Sequence, residues 1–274
     1  MQHVDLHSHT YCSDGKLSPL ELVNLAVENN ITDLAITDHD TVAAHRQLAN
    51  VGDLGLNLIP GIELSAQWSK IGIHIVGLNI DINSEAIIYA ETHQTEVRLE
   101  RLQRIAEKLK KRGFDNILAG AQEEAGSNQI GRPHIARYMV KQGMVNSVSS
   151  AFNKYLGAGK VGDVANLWPS LQEVVEWIRA AGGIAVVAHP GRYNMTRTKR
   201  IRMIEAFAEA GGQAIEVCTG NQPHGMSEDM ANICERFDLM ASVGSDFHSP
   251  DYPWVKLGKY PRLPARCQPV WEHF

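Results

Sequence analysis

The amino-terminal stretch His3-Val4-Asp5-Leu6-His7-Ser8-His9-Thr10 is followed closely by Ser13-Asp14-Gly15. Valine and leucine alternate with polar residues here, which predicts a short strand at the start of the fold. Side chains alternate between the faces of a strand, so the imidazoles of His7 and His9 can converge on one point. Asp14 lies in a turn from which its carboxylate can swing back over the strand end. The stretch indicates metal ligands, although two partly exposed histidines near a terminus explain it equally well.

The size and composition of the chain indicate a soluble globular protein. Its 274 residues can form one large α/β domain, with or without an insertion. The hydrophobic fraction of 44% and the charged fraction of 21% are ordinary for this class. A formal net charge of −5 argues against binding duplex DNA through a broad basic face. A small anionic substrate held by local charges and cations remains compatible with it.

The cysteines and the amino terminus indicate the compartment. Cys12, Cys218, Cys234 and Cys267 include no C-x-x-C pair, so neither a disulfide framework nor a thiolate zinc site is indicated. The amino terminus has no basic region followed by an apolar run, and no window approaches a membrane span. We therefore expect a cytoplasmic protein in a reducing environment, without membrane contact.

Short apolar segments that end in metal-ligating residue types recur along the chain. The segment from Asp33 leads into Thr37-Asp38-His39-Asp40, and the segment from Asn57 to Ser65 is predicted to place Glu63 at a strand end. His74 lies inside a further predicted strand, Gly72 to Leu78. Polar residues that directly follow a buried strand are typical of functional sites.

The carboxyl-terminal third repeats this pattern. The apolar segment from Ile184 ends in His189-Pro190-Gly191-Arg192, and the segment Met240 to Gly244 leads into Ser245-Asp246-Phe247-His248. Strand-like spacing predicts that Asp246 and His248 share a face. Ser18, Pro19 and Glu21 predict the start of a helix after the first strand. Along the chain, about seven predicted strands alternate with helices. This order predicts a barrel-like βα architecture with ligands at its carboxyl face.

The middle of the chain has a helical rather than a strand-like hydrophobic pattern. We expect a mostly helical insertion at 84–167 between barrel segments 1–83 and 168–274. An amphipathic helix is predicted from Glu91 to Lys111, ended by Gly113. Arg132 and His134 sit at the predicted start of another helix, a place suited to an anion. A surface arginine and a capping histidine explain these two residues equally well.

A buried cluster of acids and imidazoles is costly to desolvate unless divalent ions neutralise it. Histidine and carboxylate ligands without thiolates suit manganese, iron or zinc. The candidate ligands are too many for one tetrahedral ion. They are His7, His9, Asp14, His39, Glu63, His74, His189, Asp246 and His248.

The following motifs occur together in the chain: the H-x-H of His7 and His9, Thr37-Asp38-His39-Asp40, Glu63, His74, Ala188-His189-Pro190, and Ser245-Asp246-Phe247-His248. This combination resembles the polymerase and histidinol phosphatase (PHP) superfamily. Within it, the chain looks most like bacterial phosphoesterases that hydrolyse nucleoside 3′,5′-bisphosphates and release 5′-mononucleotides from the 5′ end of short RNA. The resemblance implies a distorted seven-stranded (β/α) barrel with three divalent ions. Mn²⁺ is the expected metal, ahead of Fe²⁺ and Zn²⁺.

The resemblance also implies how the ligands are shared. One ion would be held by His7, His9, Glu63 and Asp246. A second would be held by Glu63, His74 and His189, with Glu63 as the bridge. The third would be held by Asp14, His39 and His248.

Further residues are candidates for catalysis or substrate binding. Asp38 could orient an imidazole, or it could cap the turn that follows its strand. Arg192 could reach a phosphate oxygen, and Arg132 and His134 could contact a second phosphate. His224 is interpreted as an ordinary loop histidine.

Three other functions share parts of this pattern. A histidinol-phosphate phosphatase would use the same metals with a different specificity region. A PHP-like binding domain without activity is disfavoured by the complete ligand set. An amidohydrolase would need a metal-bridging lysine, for which the sequence offers no convincing candidate. The oligomeric state is left open.

Overall fold

A computed structural model describes residues 3–126, 128–157, 159–164 and 167–274. Within these ranges the strands form one seven-stranded sheet in chain order. They are β1 (Val4–Asp5), β2 (Asp33–Ile36), β3 (Asn57–Trp68), β4 (Ile71–Leu78), β5 (Ile184–Val187), β6 (Ala214–Thr219) and β7 (Met240–Gly244).

The sheet is mixed and nearly closed into a barrel. β1, β2 and β3 pair in parallel, as do β5, β6 and β7, whereas β4 is antiparallel to both β3 and β5. Beyond β1, the backbone N–H of Leu6 donates to Val243 O at 3.1 Å, and that of His9 donates to Phe247 O at 2.9 Å. These bonds join the first strand to the last, which confirms the predicted distorted (β/α) barrel.

The helices lie between and beside the strands. They are α1 (Pro19–Glu28), α2 (Ala43–Leu48), α3 (Glu85–Lys110), α4 (Ile117–Ala125), α5 (Arg132–Lys141), α6 (Val148–Ala151), α7 (Leu171–Ala180), α8 (Arg197–Glu209) and α9 (Met226–Phe237). The predicted start of α1 is confirmed, because the Ser18 side chain accepts from the Glu21 N–H and the Glu21 side chain accepts from the Ser18 N–H. This reciprocal cap satisfies two amide donors that the first helical turn leaves unpaired.

Three local predictions were wrong in detail. β1 ends at Asp5, so His7 and His9 lie beyond it rather than within a strand. Glu63 lies inside β3 rather than at its end, because β3 leaves its parallel partner at Pro60 and continues as the antiparallel partner of β4. Asp246 has φ +54°, so Asp246 and His248 are brought together by a bend and not by strand alternation.

Residues between β4 and α7 form helices with a hydrophobic core of their own. Leu102, Ile105 and Leu109 of α3 pack there with Ile135 and Met139 of α5. The amino-terminal part of α3 instead contributes Ile87 and Ala90 to the main core. Helix α3 begins after Ser84, earlier than predicted, and the turn after it contains Gly113 at φ +86°. The exact boundaries at 84 and 167 stay a prediction.

No helix in the described part of the chain combines the length and apolar character needed to cross a membrane.

Candidate metal centre and substrate cavity

The structure brings all nine predicted ligands together at the end of the barrel where the parallel strands terminate. Their donor atoms form four overlapping groups, each compact enough to hold an ion. The groups are His7, His9 and Asp246; His7, Glu63 and His189; His39, Glu63 and His74; and His9, Asp14, His39 and His248.

The first group lies at the deepest part of the site. His7 Nε2 is 3.1 Å from His9 Nε2, and Asp246 Oδ1 lies 3.4 Å from the former and 3.2 Å from the latter. Burial lowers the pKa of His9 to about 3, with the charge of His248 acting in the same direction. His9 is therefore a neutral imidazole at neutral pH, the form that binds a metal ion.

Glu63 is the hub of the cluster. Its carboxylate is fully buried; Oε1 is 2.9 Å from His74 Nδ1 and 3.0 Å from His189 Nε2, and Oε2 is 2.9 Å from His39 Nδ1. Burial opposes ionisation of Glu63, but the charges of His39, His74 and His7 hold its pKa well below the usual value. An ionised carboxylate that belongs to two of the four groups has the geometry of a bridging ligand.

The last group is nearer to solvent. His248 Nε2 lies 3.3 Å from Asp14 Oδ1, and His39 Nε2 lies 3.9 Å from Asp14 Oδ2. Burial disfavours the charged form of His248, but the carboxylates of Asp14 and Asp246 outweigh it and raise the pKa of His248 to about 10. Without a cation, the protonated imidazole of His248 therefore balances the charge of the Asp14 carboxylate.

These groups differ in part from the sharing that the resemblance implies. His7, His9 and Asp246 do form one group, and Asp14, His39 and His248 form another, which His9 joins. His74 and His189 both contact Glu63 Oε1 but fall into separate groups. The assignment of each ligand to an ion stays a prediction.

The residues present fit divalent ions. His9 Nδ1 and His189 Nδ1 are buried without a hydrogen bond, and Glu63 Oε2, Asp14 Oδ1 and His39 Nδ1 have ion-pair neighbours but no hydrogen bond of good geometry. Buried polar atoms are ordinarily paired, because desolvation without a partner is costly. Imidazole nitrogens and carboxylate oxygens without a thiolate are the donors that Mn²⁺, Fe²⁺ and Zn²⁺ accept in proteins.

Glu216 on β6 holds two of the ligands in place and was missed in the sequence. Glu216 Oε1 lies 3.1 Å from His7 Nδ1, and Oε2 accepts the backbone N–H of His189 at 2.5 Å. A carboxylate on Nδ1 fixes the tautomer that leaves Nε2 free to bind a metal ion. The sequence does show an acidic residue, Glu216, inside an apolar strand. The pattern does not show which residues its side chain faces.

Asp38 has a different role from the predicted one. Its Oδ1 accepts the Thr10 N–H at 2.8 Å and the Ser13 hydroxyl at 2.6 Å, and its Oδ2 accepts the Thr10 hydroxyl at 2.6 Å. Burial raises the pKa of Asp38 to about 6, and these donors oppose that rise. Its hydrogen bonds therefore fix the loop that carries Asp14 instead of orienting an imidazole.

Arg192 lies beside the cluster. Its guanidinium contacts the Asp246 carboxylate and donates to Gly220 O at 2.8 Å. Arg192 also lines the cavity, so it is placed both to hold Asp246 and to meet a phosphate oxygen. Which of these contacts matters for catalysis stays a prediction.

A cavity of about 690 Å³ extends from the cluster to the helices between β4 and α7. Asp14, His39, His74 and His189 line one part of it, and arginines line another: Arg98, Arg101 and Arg132. Its volume is in the range of small-molecule sites.

Arg101 is buried and Arg132 is partly buried, and both bond to backbone oxygen. Arg101 donates to Val164 O at 3.0 Å, and Arg132 donates to Leu156 O at 3.0 Å. Burial, with the charges of Arg132 and Arg98, lowers the pKa of Arg101 to about 9, which leaves it charged at neutral pH. Within the described ranges neither guanidinium has an ion pair, although the charge of Asp163 favours the protonated form of both. An anion in the cavity would offset this charge.

His134 fits the capping alternative. Its Nδ1 accepts the Gly131 N–H at 3.1 Å at the start of α5, and the cavity lining includes Gly131, Arg132 and Pro133 but not His134. Burial lowers the pKa of His134 to about 4, so it supplies no positive charge at neutral pH. Of the two residues predicted to contact an anion, Arg132 therefore remains the candidate.

Arg98 was also missed, and it connects the cavity to the metal-site loops. Arg98 Nε donates to Asp40 Oδ2 at 2.6 Å, Nη1 donates to Ile130 O at 3.1 Å, and Trp168 lies 5.3 Å from the guanidinium. Asp40 is buried and also accepts the Ser65 N–H at 2.7 Å. Arg98 therefore ties α3 to the segment that follows His39.

The sequence matches known proteins over its whole length. The family described as the PHP domain matches residues 5–217. The 5′-3′ exoribonuclease Rnm of Escherichia coli (strain K12) is 44% identical, with 98% of this chain and 92% of that protein covered. The 3′,5′-nucleoside bisphosphate phosphatase of Chromobacterium violaceum is 39% identical, with coverage of 99% and 96%.

A solved structure from Chromobacterium violaceum, described as an amidohydrolase with bound sulfate and no metal, is similar with a TM-score of 0.90. It is 38% identical and covers 98% of this chain and 95% of its own. In the present chain the four candidate groups consist of histidine, aspartate and glutamate without cysteine, and Glu63 belongs to two of them.

Proposed function

The chain belongs to the PHP domain family, and we propose that it is a metal-dependent phosphoesterase that removes the 3′-phosphate from nucleoside 3′,5′-bisphosphates. Its second substrate class is short RNA, from which it releases 5′-mononucleotides in the 5′-to-3′ direction. The names of the two relatives support both substrate classes.

One observation carries the proposal: a single cavity has candidate metal ligands at one part and, at another, Arg101 and Arg132, which form no ion pair with any described residue. A substrate with two phosphates fits this arrangement, with the scissile phosphate at the ligand cluster and the 5′-phosphate at Arg101 and Arg132. Guanidinium groups suit this role because their planar donors match phosphate oxygens. A simple monoester would leave the arginines without an anion.

The residues of the chain supply binding and orientation. His, Asp and Glu side chains would hold the ions, Glu216 and Asp38 fix the positions of candidate ligands, and Arg192 is placed to meet an oxygen of the scissile phosphate. Bound divalent ions would supply a lower pKa for water and offset the charge that develops on the phosphoryl oxygens. Water adds to phosphorus, the bond from phosphorus to O3′ breaks, and the departing O3′ takes up a proton.

We propose that the site holds three divalent ions, because nine ligands are more than one ion, or two ions of low coordination number, would require. Mn²⁺ is the proposed metal, ahead of Fe²⁺ and Zn²⁺. The segment 84–167 is proposed as an insertion that sets specificity, since Arg98, Arg101 and Arg132 all come from it. The proposed location is the cytoplasm, in keeping with the free thiols of Cys12, Cys218, Cys234 and Cys267.

The experiment is phosphate release from adenosine 3′,5′-bisphosphate by the Mn²⁺-loaded protein, beside histidinol phosphate and a 5′-phosphorylated RNA. Fast release with 5′-AMP as product is expected, and Asp246→Asn should abolish it. Arg132→Met should lower kcat/KM for the bisphosphate by roughly 10- to 100-fold, because an Arg–phosphate hydrogen bond is worth roughly 1.5–3 kcal/mol. Turnover of 3′-AMP, which lacks the 5′-phosphate, should change little.

Arg112→Met is the matched control, because Arg112 is an exposed arginine in the turn after α3, within the same proposed insertion. It should leave both substrates unaffected. Turnover confined to histidinol phosphate would move the assignment to that phosphatase. No turnover of any substrate, with bound metal verified, would support a binding domain instead.

A further inference from the structure

Two exposed aromatic side chains stand in parallel on the loop after the metal-ligand segment. The rings of Tyr252 and Trp254 lie 5.5 Å apart between centroids and are inclined by 14°. Trp254 is 61% exposed, the highest value among the large apolar side chains of the described residues, and Tyr252 is 41% exposed. Isolated apolar side chains on a surface are normal, but a stacked aromatic pair with open ring faces is a platform for another flat ring.

Hydrogen bonds fix this loop beside the metal centre. The backbone N–H of Lys16, two residues after Asp14, donates to His248 O at 2.8 Å. Lys16 Nζ lies 2.5 Å from Asp251 Oδ2, and the Tyr252 N–H donates to Ser249 O at 3.3 Å. The loop that carries the aromatic pair is therefore joined to the segment after Asp14 and begins at His248, whose side chain is 23% exposed.

The aromatic pair lies outside the nucleotide cavity. Neither Tyr252 nor Trp254 lines that cavity, which runs from the cluster toward the arginines instead. The pair therefore lies outside the cavity that would take the bisphosphate, on the loop that follows the candidate ligand His248.

The chemistry of the two substrate classes shows why a second side matters. In both, water adds to phosphorus and the bond to O3′ of the first nucleotide breaks, so that nucleotide leaves with a 3′-hydroxyl. In a bisphosphate the scissile phosphate carries nothing else. In RNA the same phosphate stays attached through another oxygen to the next nucleotide, so the remaining chain must leave the cluster away from the cavity.

We propose that Tyr252 and Trp254 stack with bases of the RNA chain downstream of the scissile phosphate. This inference rests on the proposed function and extends it to the part of the substrate that a bisphosphate lacks. Stacking on aromatic side chains tolerates any base, which suits an enzyme that removes nucleotides one after another.

The charge around the pair is consistent with stacking as the main contact. Lys16 is neutralised by Asp251, so this pair of residues adds no net charge for phosphates. Phosphate contacts make affinity depend steeply on salt, whereas stacking does not. Removal of the aromatic rings should therefore weaken RNA binding without changing its salt dependence.

The test uses the full-length Mn²⁺-loaded protein with Trp254→Ala and with Tyr252→Ala/Trp254→Ala. Stacking of a base is worth about 1–3 kcal/mol, roughly 5- to 150-fold in affinity. We expect KM for a 5′-phosphorylated hexaadenylate to rise about tenfold in Trp254→Ala and to recover in Trp254→Phe. Turnover of adenosine 3′,5′-bisphosphate should stay unchanged. Tyr89→Ala is the matched control, because Tyr89 is an exposed aromatic residue on α3.

Binding is measured separately, by fluorescence anisotropy of labelled hexaadenylate on metal-free protein, so the result does not depend on turnover. Weaker binding by both variants, at equal salt slope, supports the inference. Unchanged RNA binding and KM overturn it, as does an equal loss of bisphosphate turnover or a change in sedimentation that shows the pair to be a contact between copies of the chain. Absence of bisphosphate turnover in the unaltered protein would instead contradict the proposed function.

Discussion

Glu216 Oε1 lies 3.1 Å from His7 Nδ1, although 209 residues separate the two in the sequence. The contact points His7 Nε2 toward His9 and Asp246, and the second oxygen of Glu216 holds the backbone of His189. One carboxylate outside the ligand set therefore positions ligands of two candidate groups.

Replacing this carboxylate should weaken metal binding. We expect Glu216→Ala to lower Mn²⁺ affinity by roughly 10- to 100-fold, the usual effect of losing a carboxylate that orients a ligating histidine. Glu216→Gln should lose less, because its amide oxygen can still accept from His7. Competition with a chelator measures the affinity, and Glu205→Gln on the exposed side of α8 is the control. Affinity within twofold of the unaltered protein in Glu216→Ala would contradict this role.

Metal binding should release protons and strengthen as pH rises. Without a cation the pKa of His248 is about 10, and the carboxylates of Glu63, Glu216 and Asp246 overcome burial to raise that of His7. The imidazole of His248 is protonated at pH 7.5, and the raised pKa of His7 favours its protonated form; each must lose any such proton before it can ligate an ion. Affinity should therefore increase from pH 6 toward pH 9. Calorimetry in buffers of different ionisation enthalpy counts the protons, and a release near zero at pH 7.5 would refute the expectation.

Gly244 allows the last strand to approach the metal site closely. A Cβ atom there would overlap His7 Cβ and come within 2.8 Å of Glu216 Oε1. Gly244→Ala should destabilise the fold by about 1–3 kcal/mol, as overpacking of a buried site does, and should reduce bound metal. Urea denaturation and metal analysis measure the two effects. Gly52→Ala, where a Cβ meets nothing within 4 Å, should stay within about 0.5 kcal/mol, and equal behaviour of the two variants would show that the close approach is unimportant.

The buried pair of Arg98 and Asp40 should behave as a coupled unit. Arg98→Met leaves the Asp40 carboxylate buried without its cation, which should cost about 3–5 kcal/mol. Adding Asp40→Asn removes the unpaired charge, so the double variant should be more stable than the sum of the single changes by about 0.5–3 kcal/mol. Urea denaturation of the four proteins in this cycle gives the coupling. Additive losses would mean that the pair does not stabilise the junction between α3 and the metal-site loops.

Much of the barrel could be predicted because its signals are local. An apolar run bounded by polar residues indicates a strand, and Ser18, Pro19 and Glu21 fix a helix start through contacts within one turn. The predicted position of Glu63 at a strand end failed for a non-local reason. β3 continues because β4 folds back to pair with it, and the residues of β3 alone do not show where the pairing partner changes.

The candidate site likewise has features that local sequence predicts and features that only packing sets. Histidine and acidic residues in or near the predicted strands indicated the nine candidate ligands, and parallel strands bring most of them to one edge, whereas Glu63 and His74 lie inside the antiparallel pair β3 and β4. The assignments of Asp38 to an imidazole and of His134 to a phosphate were not supported, since each side chain had several neighbours within reach and only packing selected among them.

The sequence by itself determined the ligand types, the order of strands and helices, and the local caps, because alternation and capping act over a few residues. Only the tertiary structure decided that Glu216 faces His7, that Asp40 pairs with Arg98, and that Arg101 and Arg132 share a cavity with the ligand cluster. Those contacts depend on which faces of distant elements pack together. That packing is set by the burial of apolar surface over the whole molecule, and no short segment encodes it.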